Sequence, residues 1–247
     1  MRIAACMFIG LVLFFACKKE DTHKENQTTR YQCKAFTDDQ YLASSNQHFY
    51  IHTSLTFDNL GRPTLIQNDR DSVDKYMYTY TSANSFEERR FSGTHQTLQL
   101  LYALNSKGNI DSFVSINGSG DAVMVMRFTY NSQNLLSSIS RFDKSGGQWI
   151  PNGVTNYEYD VAGDMTQVDG MGSTVTYSYD ATRLNLLAPI YPYTTTSPYL
   201  LKTHTQLIPG PMGPYFHTYS LDNIGRVISD TSRLESSQDY FARTYEY

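Results

Sequence analysis

The side chains of this sequence that could do chemistry are few, and most of them fail on spacing. His48 and His52 stand four residues apart, which on a helix would set two imidazoles on one face to grip a metal ion. The residues between them, Phe49-Tyr50-Ile51, read instead as strand, where that spacing separates the rings by ~13 Å. Asp69, Asp71 and Asp74 have the look of a calcium loop, but the sixth place holds Asp74 rather than Gly and the twelfth holds Tyr80 rather than a bidentate Glu. Neither cluster predicts a metal site. The chain has no Gly-x-Ser-x-Gly elbow, no phosphate loop, no His-Glu-x-x-His and no cysteine pair at metal spacing, so neither a catalytic residue nor a cofactor is predicted. What remains is the chemistry of ring faces. There are 20 Tyr and 13 Phe against a single Trp, and such rings fill β-sheet cores or, when exposed, stack on sugars. Tyr191, Tyr193, Tyr199, Tyr215 and Phe216 stand outside the regular aromatic columns described below and are the candidate ligand-binding residues.

One cysteine is placed for covalent modification. Arg2 opens the chain, and Ile3 to Ala16 is an apolar run of fourteen residues, too short to span a bilayer as a helix and right for a signal-peptide core. It ends in Phe14-Phe15-Ala16-Cys17, which resembles the lipobox of bacterial lipoproteins, although Phe14 and Phe15 depart from its commonest form. The resemblance implies a signal peptide over 1–16, acylation of Cys17, and a membrane held through that anchor. Lys19-Glu20-Asp21 resembles the export signal of Bacteroidetes-type lipoproteins, which implies the outer membrane and display at the cell surface. Cys6 leaves with the signal, so Cys33 remains as an unpaired thiol and no intramolecular disulfide is expected. The formal net charge is −4, and the densest charge cluster, Glu87-Glu88-Arg89-Arg90, cancels itself; nucleic acid is therefore not a predicted partner.

These residues have to be positioned by β structure. From Cys17 to Gln47 the chain is polar and aperiodic, and the prediction is an acylated cysteine with a tether over 17–47 followed by one domain over 48–247. Within that domain one phrase recurs: aromatic, any residue, aromatic, Asp or Asn, two residues, Gly, polar. Phe57-Asp58-Asn59-Leu60-Gly61-Arg62 and Leu221-Asp222-Asn223-Ile224-Gly225-Arg226 are near copies, with Tyr157 to Asp164 and Tyr102 to Asn109 between them. Weaker copies lie at Tyr80, Tyr130 and Tyr179, and Tyr247 stands where another would enter its turn. Intervals between successive anchors run from 20 to 29 residues, with one of 42. A period near two dozen residues is one hairpin, and eight copies imply about fifteen strands. Asp58, Asp160 and Asp222 are placed to accept backbone N–H groups in the turns, while Gly61, Gly108, Gly163 and Gly225 supply positive φ. Arg62 and Arg226 are placed to pair with Asp58 and Asp222. The long interval holds six of the eight prolines and is read as an insertion over 181–214, outside the central sheet and lying over it as a cover or lip.

The pairs Tyr159-Asp160 and Tyr179-Asp180, with Gly61-Arg62 and Gly225-Arg226, resemble the Tyr-Asp (YD) repeats of RHS-type proteins, and residues 50 to 247 resemble Bacteroidetes surface lipoproteins built of such hairpins. The resemblance implies antiparallel meanders that curl. Far fewer repeats are present than in toxin-enclosing members, which argues against a carried cargo. The expected fold is all-β: an antiparallel meander of about seven to eight hairpin repeats curled into an open shell or twisted sheet, with a β-sandwich as the alternative. The expected function is that of a non-enzymatic cell-envelope lipoprotein binding a glycan or an envelope protein through the Pro/Tyr-rich insertion. Two alternatives are a polysaccharide-acting hydrolase, which needs two carboxyl groups facing each other at ~5–10 Å, and a passive structural scaffold.

Overall fold

The computed structural model describes residues 32–69, 74–170, 172–184, 199–208, 210–235 and 237–247. Cys17, Lys19, Glu20, Asp21, Tyr191 and Tyr193 lie outside them. The described residues form sixteen strands. The first eight are β1 (Ala35–Leu42), β2 (Gln47–Phe57), β3 (Pro63–Asn68), β4 (Asp74–Ser82), β5 (Ser85–Ser92), β6 (His95–Leu104), β7 (Ile110–Ile116) and β8 (Ala122–Tyr130). They continue with β9 (Leu136–Ser145), β10 (Gln148–Tyr159), β11 (Met165–Gly170), β12 (Ser173–Leu184), β13 (Tyr199–Ile208), β14 (Gly210–Leu221), β15 (Val227–Leu234) and β16 (Tyr240–Glu246). Each pairs antiparallel with its neighbours in sequence, and β1 pairs with β16 from Ala35↔Glu246 to Tyr41↔Tyr240. The sheet is thus a closed barrel.

That seam overturns the expectation of an open shell, twisted sheet or sandwich. The strand that closes the ring, β1, comes from the segment read as tether, and it is hard to see in sequence because Asp38 and Gln40 occupy two of its inward positions. Asp38 is matched across the seam by Arg243, at 2.6 and 3.0 Å, so the charge that hides the strand also holds it in register. With β1 in place no edge is left with unpaired N–H and C=O groups. The segment 181–214 is corrected as well. Residues 181–184, 199–208 and 210–214 lie on β12, β13 and β14, in the wall itself. Pro211 and Pro214 are tolerated because they sit toward the start of β14, where the β13 register shifts between His204 and Gln206.

The repeated phrase sits at or near the C-terminal ends of the even-numbered strands, so all its turns gather at one end of the barrel. Asp58 Oδ1 accepts the N–H groups of Leu60 and Arg62 at 2.9 Å, and Gly61 takes φ +74°. Arg62 Nε donates to Asp58 Oδ2 at 2.7 Å while its guanidinium lies 3.9 Å over the ring of Tyr80. Asp222 and Arg226 repeat the pair at 2.6 Å, with Arg226 over Tyr247 at 4.6 Å. Asp160 accepts from Ala162 and Asp164, and Gly108, Gly163 and Gly225 all have positive φ. The anchor tyrosines add a cross-link: the hydroxyls of Tyr80, Tyr130 and Tyr247 donate to the carbonyls of Pro63, Ile110 and Val227 at 2.9, 2.6 and 2.8 Å. Each thereby fastens the turn of the preceding hairpin.

Side chains alternate across the wall. Inward at the turn end lie Ile66, Tyr78, Phe86, Tyr102, Phe113, Phe128, Leu136 and Tyr157, all buried, with Phe86 stacked on Tyr102 at 4.2 Å. Cys33 is buried in the same cluster. These rings fill that end of the lumen as a core. Outward, Thr176, Ser178, Thr203, Thr218, Ser220 and Thr231 carry the wall from β12 to β15, while Arg127, Glu158 and Asp169 stand out to solvent. An apolar row, Leu101, Val114, Val125 and Phe142, crosses β6 to β9 but does not encircle the barrel.

Candidate functional site

The lumen is filled at the turn end and open at the other. Residues Gln47 to Tyr50 on β2 and Lys144 to Val154 along β9 and β10 are exposed on both faces of their strands, so water reaches the inside of the wall there. Between floor and mouth the inward positions turn polar. Asp38 meets Arg243, whose guanidinium also lies 4.2 Å over Phe36. Glu88 accepts from Arg90 at 2.5 Å and from the Tyr102 hydroxyl at 3.1 Å. Asp143 accepts from Arg141 at 2.8 and 3.1 Å and from Asn152. Three inward carboxylates therefore each have an arginine as partner. Hydrogen bonds from Arg141 and Asn152 hold the Asp143 carboxyl below its ordinary range, the reverse of what a glycosidase asks of its general acid.

A histidine chain runs through the same belt. His217 Nδ1 lies 3.2 Å from Asp230 Oδ1, and His217 Nε2 lies 2.9 Å from His204 Nδ1. A carboxylate only accepts, so His217 donates through Nδ1, and in the neutral tautomer its Nε2 is left to accept from His204 Nδ1. His204 stacks on Tyr215 at 4.6 Å with ring planes 5° apart. Burial, reinforced by His217 and opposed by Asp230, pushes His204 down to about 4, so it is neutral at pH 7. Beside His217, a cavity of about 520 Å³ opens between Tyr179, Leu201, Lys202 and Tyr219. Among the described residues no group of three or more His, Cys, Asp or Glu is placed to hold a metal ion.

Of the sequence-predicted ligand residues, the described ones, Tyr199, Tyr215 and Phe216, are not brought together. Tyr215 points into the lumen against His204, whereas its neighbour Phe216 points out, 41% exposed and opposite Arg233. Tyr199 is the first residue of β13, opposite Leu184, and this places both flanks of 185–198 at the turn end, away from the mouth. The belt itself was missed by motif reading. Its signal is a spacing: His204, His217, Asp230 and Arg243 succeed one another at thirteen residues, one strand and turn each, and so fall on adjacent strands with the same inward facing. The pattern becomes readable only once strand lengths are known.

No family model matches the chain, and no curated protein matches it. Among solved structures it is similar to a porin-like protein from Bacteroides uniformis, with a TM-score of 0.62 at 15% identity over 86% of this chain and 96% of that one. It is also similar to a porin-like protein from Bacteroides vulgatus, with a TM-score of 0.54 at 11% identity over 87% and 98%. At these identities the likeness is one of fold, and what this chain shares with both is the barrel.

Proposed function

We propose that this chain is a lipid-anchored protein of the outer membrane whose barrel stands in water beside the bilayer and serves as a non-enzymatic binding cup. One observation carries the reading: the apolar row on the outer wall, Leu101, Val114, Val125 and Phe142, does not encircle the barrel as a lipid-facing band would. A membrane-spanning barrel shows lipid an apolar band ~25 Å tall and keeps a polar lumen. Here aromatic rings close one end of the lumen, and the outer face from β12 to β15 is mainly Ser and Thr, interrupted by Phe216 and Arg233. Placing Arg127 in a lipid-facing midplane would cost ~2–4 kcal/mol, and Glu158 and Asp169 would add to it. The porin-like neighbours support an envelope setting, and the lipobox-like Phe14-Phe15-Ala16-Cys17 supports the anchor. Gln32 donates to the Gly61 carbonyl at 2.7 Å, at the turn end, and on this reading the anchor at Cys17 lies on the side of the closed floor and the mouth faces away from the membrane.

Detergent-phase partitioning of the exported protein tests this. The native protein is expected in the detergent phase, and a Cys17→Ala variant in the aqueous phase with no conductance in planar bilayers. A Cys17→Ala barrel that stays in detergent and passes ions would be a pore, and the proposal would fall.

A further inference from the structure

On the outer face of the seam, near the mouth, the Ser/Thr wall gives way to rings. Tyr240, Tyr41 and His48 lie directly opposite one another on β16, β1 and β2. Their centroids are close: 5.3 Å for Tyr41 and Tyr240, with planes 28° apart, and 4.8 Å for Tyr41 and His48. Tyr50, two residues on from His48 and on the same face, stacks on it at 5.6 Å with planes 3° apart. Tyr50 is nonetheless 60% exposed, so the ring face turned from His48 meets solvent. In the middle of the group is Asp39, opposite both Tyr50 and Ala242. Its carboxylate accepts from His48 Nδ1 at 3.0 Å and from the Tyr240 hydroxyl at 3.1 Å. Tyr41 is held in turn by its hydroxyl, which donates to Asn46 Oδ1 at 3.1 Å.

We propose that this seam face is a saccharide-binding site, in which the open face of Tyr50 stacks on the apolar face of a pyranose ring and Asp39 accepts hydrogen bonds from its hydroxyls. Three features carry the assignment. The rings are fixed by stacking and by the hydrogen bonds to Asp39 and Asn46, so little side-chain freedom is lost on binding. Ala242, opposite Asp39 on β16, puts only a methyl group beside the carboxylate. The carboxylate oxygens hold spare lone pairs after serving His48 and Tyr240, which suits a ligand with several hydroxyl donors. An organic cation would be served by rings standing around it as a box; here only His48 and Tyr240 approach edge-on, at 67°, and the other pairs lie nearer parallel. The site rests on the reading that the outer wall faces water.

Affinity electrophoresis of the full exported protein through gels containing soluble xylan, mannan, mixed-linkage β-glucan or starch tests it. Retardation by at least one polymer is expected. The shift should weaken at least ten-fold in dissociation constant for Tyr50→Ala and for Asp39→Asn, persist in Tyr50→Phe, and be unaltered by Val123→Ala on β8, across the barrel. Unchanged far-ultraviolet circular dichroism and melting of Tyr50→Ala keeps a folding defect apart from a lost contact. Absence of retardation on every polymer, or retardation indifferent to Tyr50→Ala, overturns the site while leaving the water-facing barrel standing. A barrel that needs detergent without its anchor fails the earlier reading instead.

Discussion

Two buried titratable side chains give measurable consequences. His204 binds its proton in the unfolded chain near pH 6.5 and in the folded barrel only near 4. Between those values the unfolded state holds more protons, so stability is full above about pH 6.5 and declines as pH falls toward 4. Urea midpoints taken across that window should fall with acidification, and His204→Gln should flatten the slope. Cys33 behaves in the opposite sense for reactivity. Burial pushes its thiol up to about 11, with Arg243 and backbone hydrogen bonds opposing only in part, and Sγ donates to the Ala35 carbonyl at 3.2 Å. A buried thiol that stays protonated is a poor nucleophile. Native protein should resist aromatic disulfide reagents at pH 8, and one thiol should appear on denaturation. The sequence placed Cys33 in a polar lead-in, and only the fold shows that the residue belongs to the buried cluster of the floor, with Phe36.

At the scale of the element, the hairpin was the most legible unit. Phe57-Asp58 and Leu221-Asp222, each followed by Gly and Arg, announce a turn in which a carboxylate gathers two N–H groups, and the same local chemistry operates in the folded chain. The reach of the anchor tyrosines was not legible, because it joins residues 17 to 20 apart on adjacent strands. Replacing Tyr130 by Phe should cost about 1 kcal/mol in the urea midpoint, since the Ile110 carbonyl loses a donor while the ring keeps its packing. A loss comparable to a cavity mutant would show that the ring, and not the hydroxyl, fastens the turn. Prolines misled in the other direction. Six of them in one interval argued for a segment outside the sheet, yet β13 and β14 run through it, because the start of β14, where the register shifts, accepts Pro211 and Pro214 as a central ladder would not.

For the whole molecule, closure is the decisive event, and it rests on one strand, β1, whose ladder with β16 carries the Asp38–Arg243 ion pair. Arg243→Ala should cost about 2 kcal/mol by leaving Asp38 without its charged partner inside the wall. Removal of residues 32–44 should do more, exposing the edges of β2 and β16, and light scattering should report association through them. A truncated barrel that stays monomeric would mean that β2 and β16 close on each other without β1. Taken by itself, the sequence determined the local facts: strands of alternating aromatic residues, turns built from Asp or Asn and Gly, and a period of one hairpin. These depend on neighbours within a few residues, where side-chain size and hydrogen-bonding capacity act directly. Tertiary structure alone decided that the meander closes, that its buried rings gather at one end of the lumen, and that the thirteen-residue ladder from His204 to Arg243 and the rings of Tyr41, Tyr50 and Tyr240 become clusters. Closure pairs residues about 200 positions apart, such as Asp38 with Arg243, and no local pattern encodes which two distant edges share a ladder.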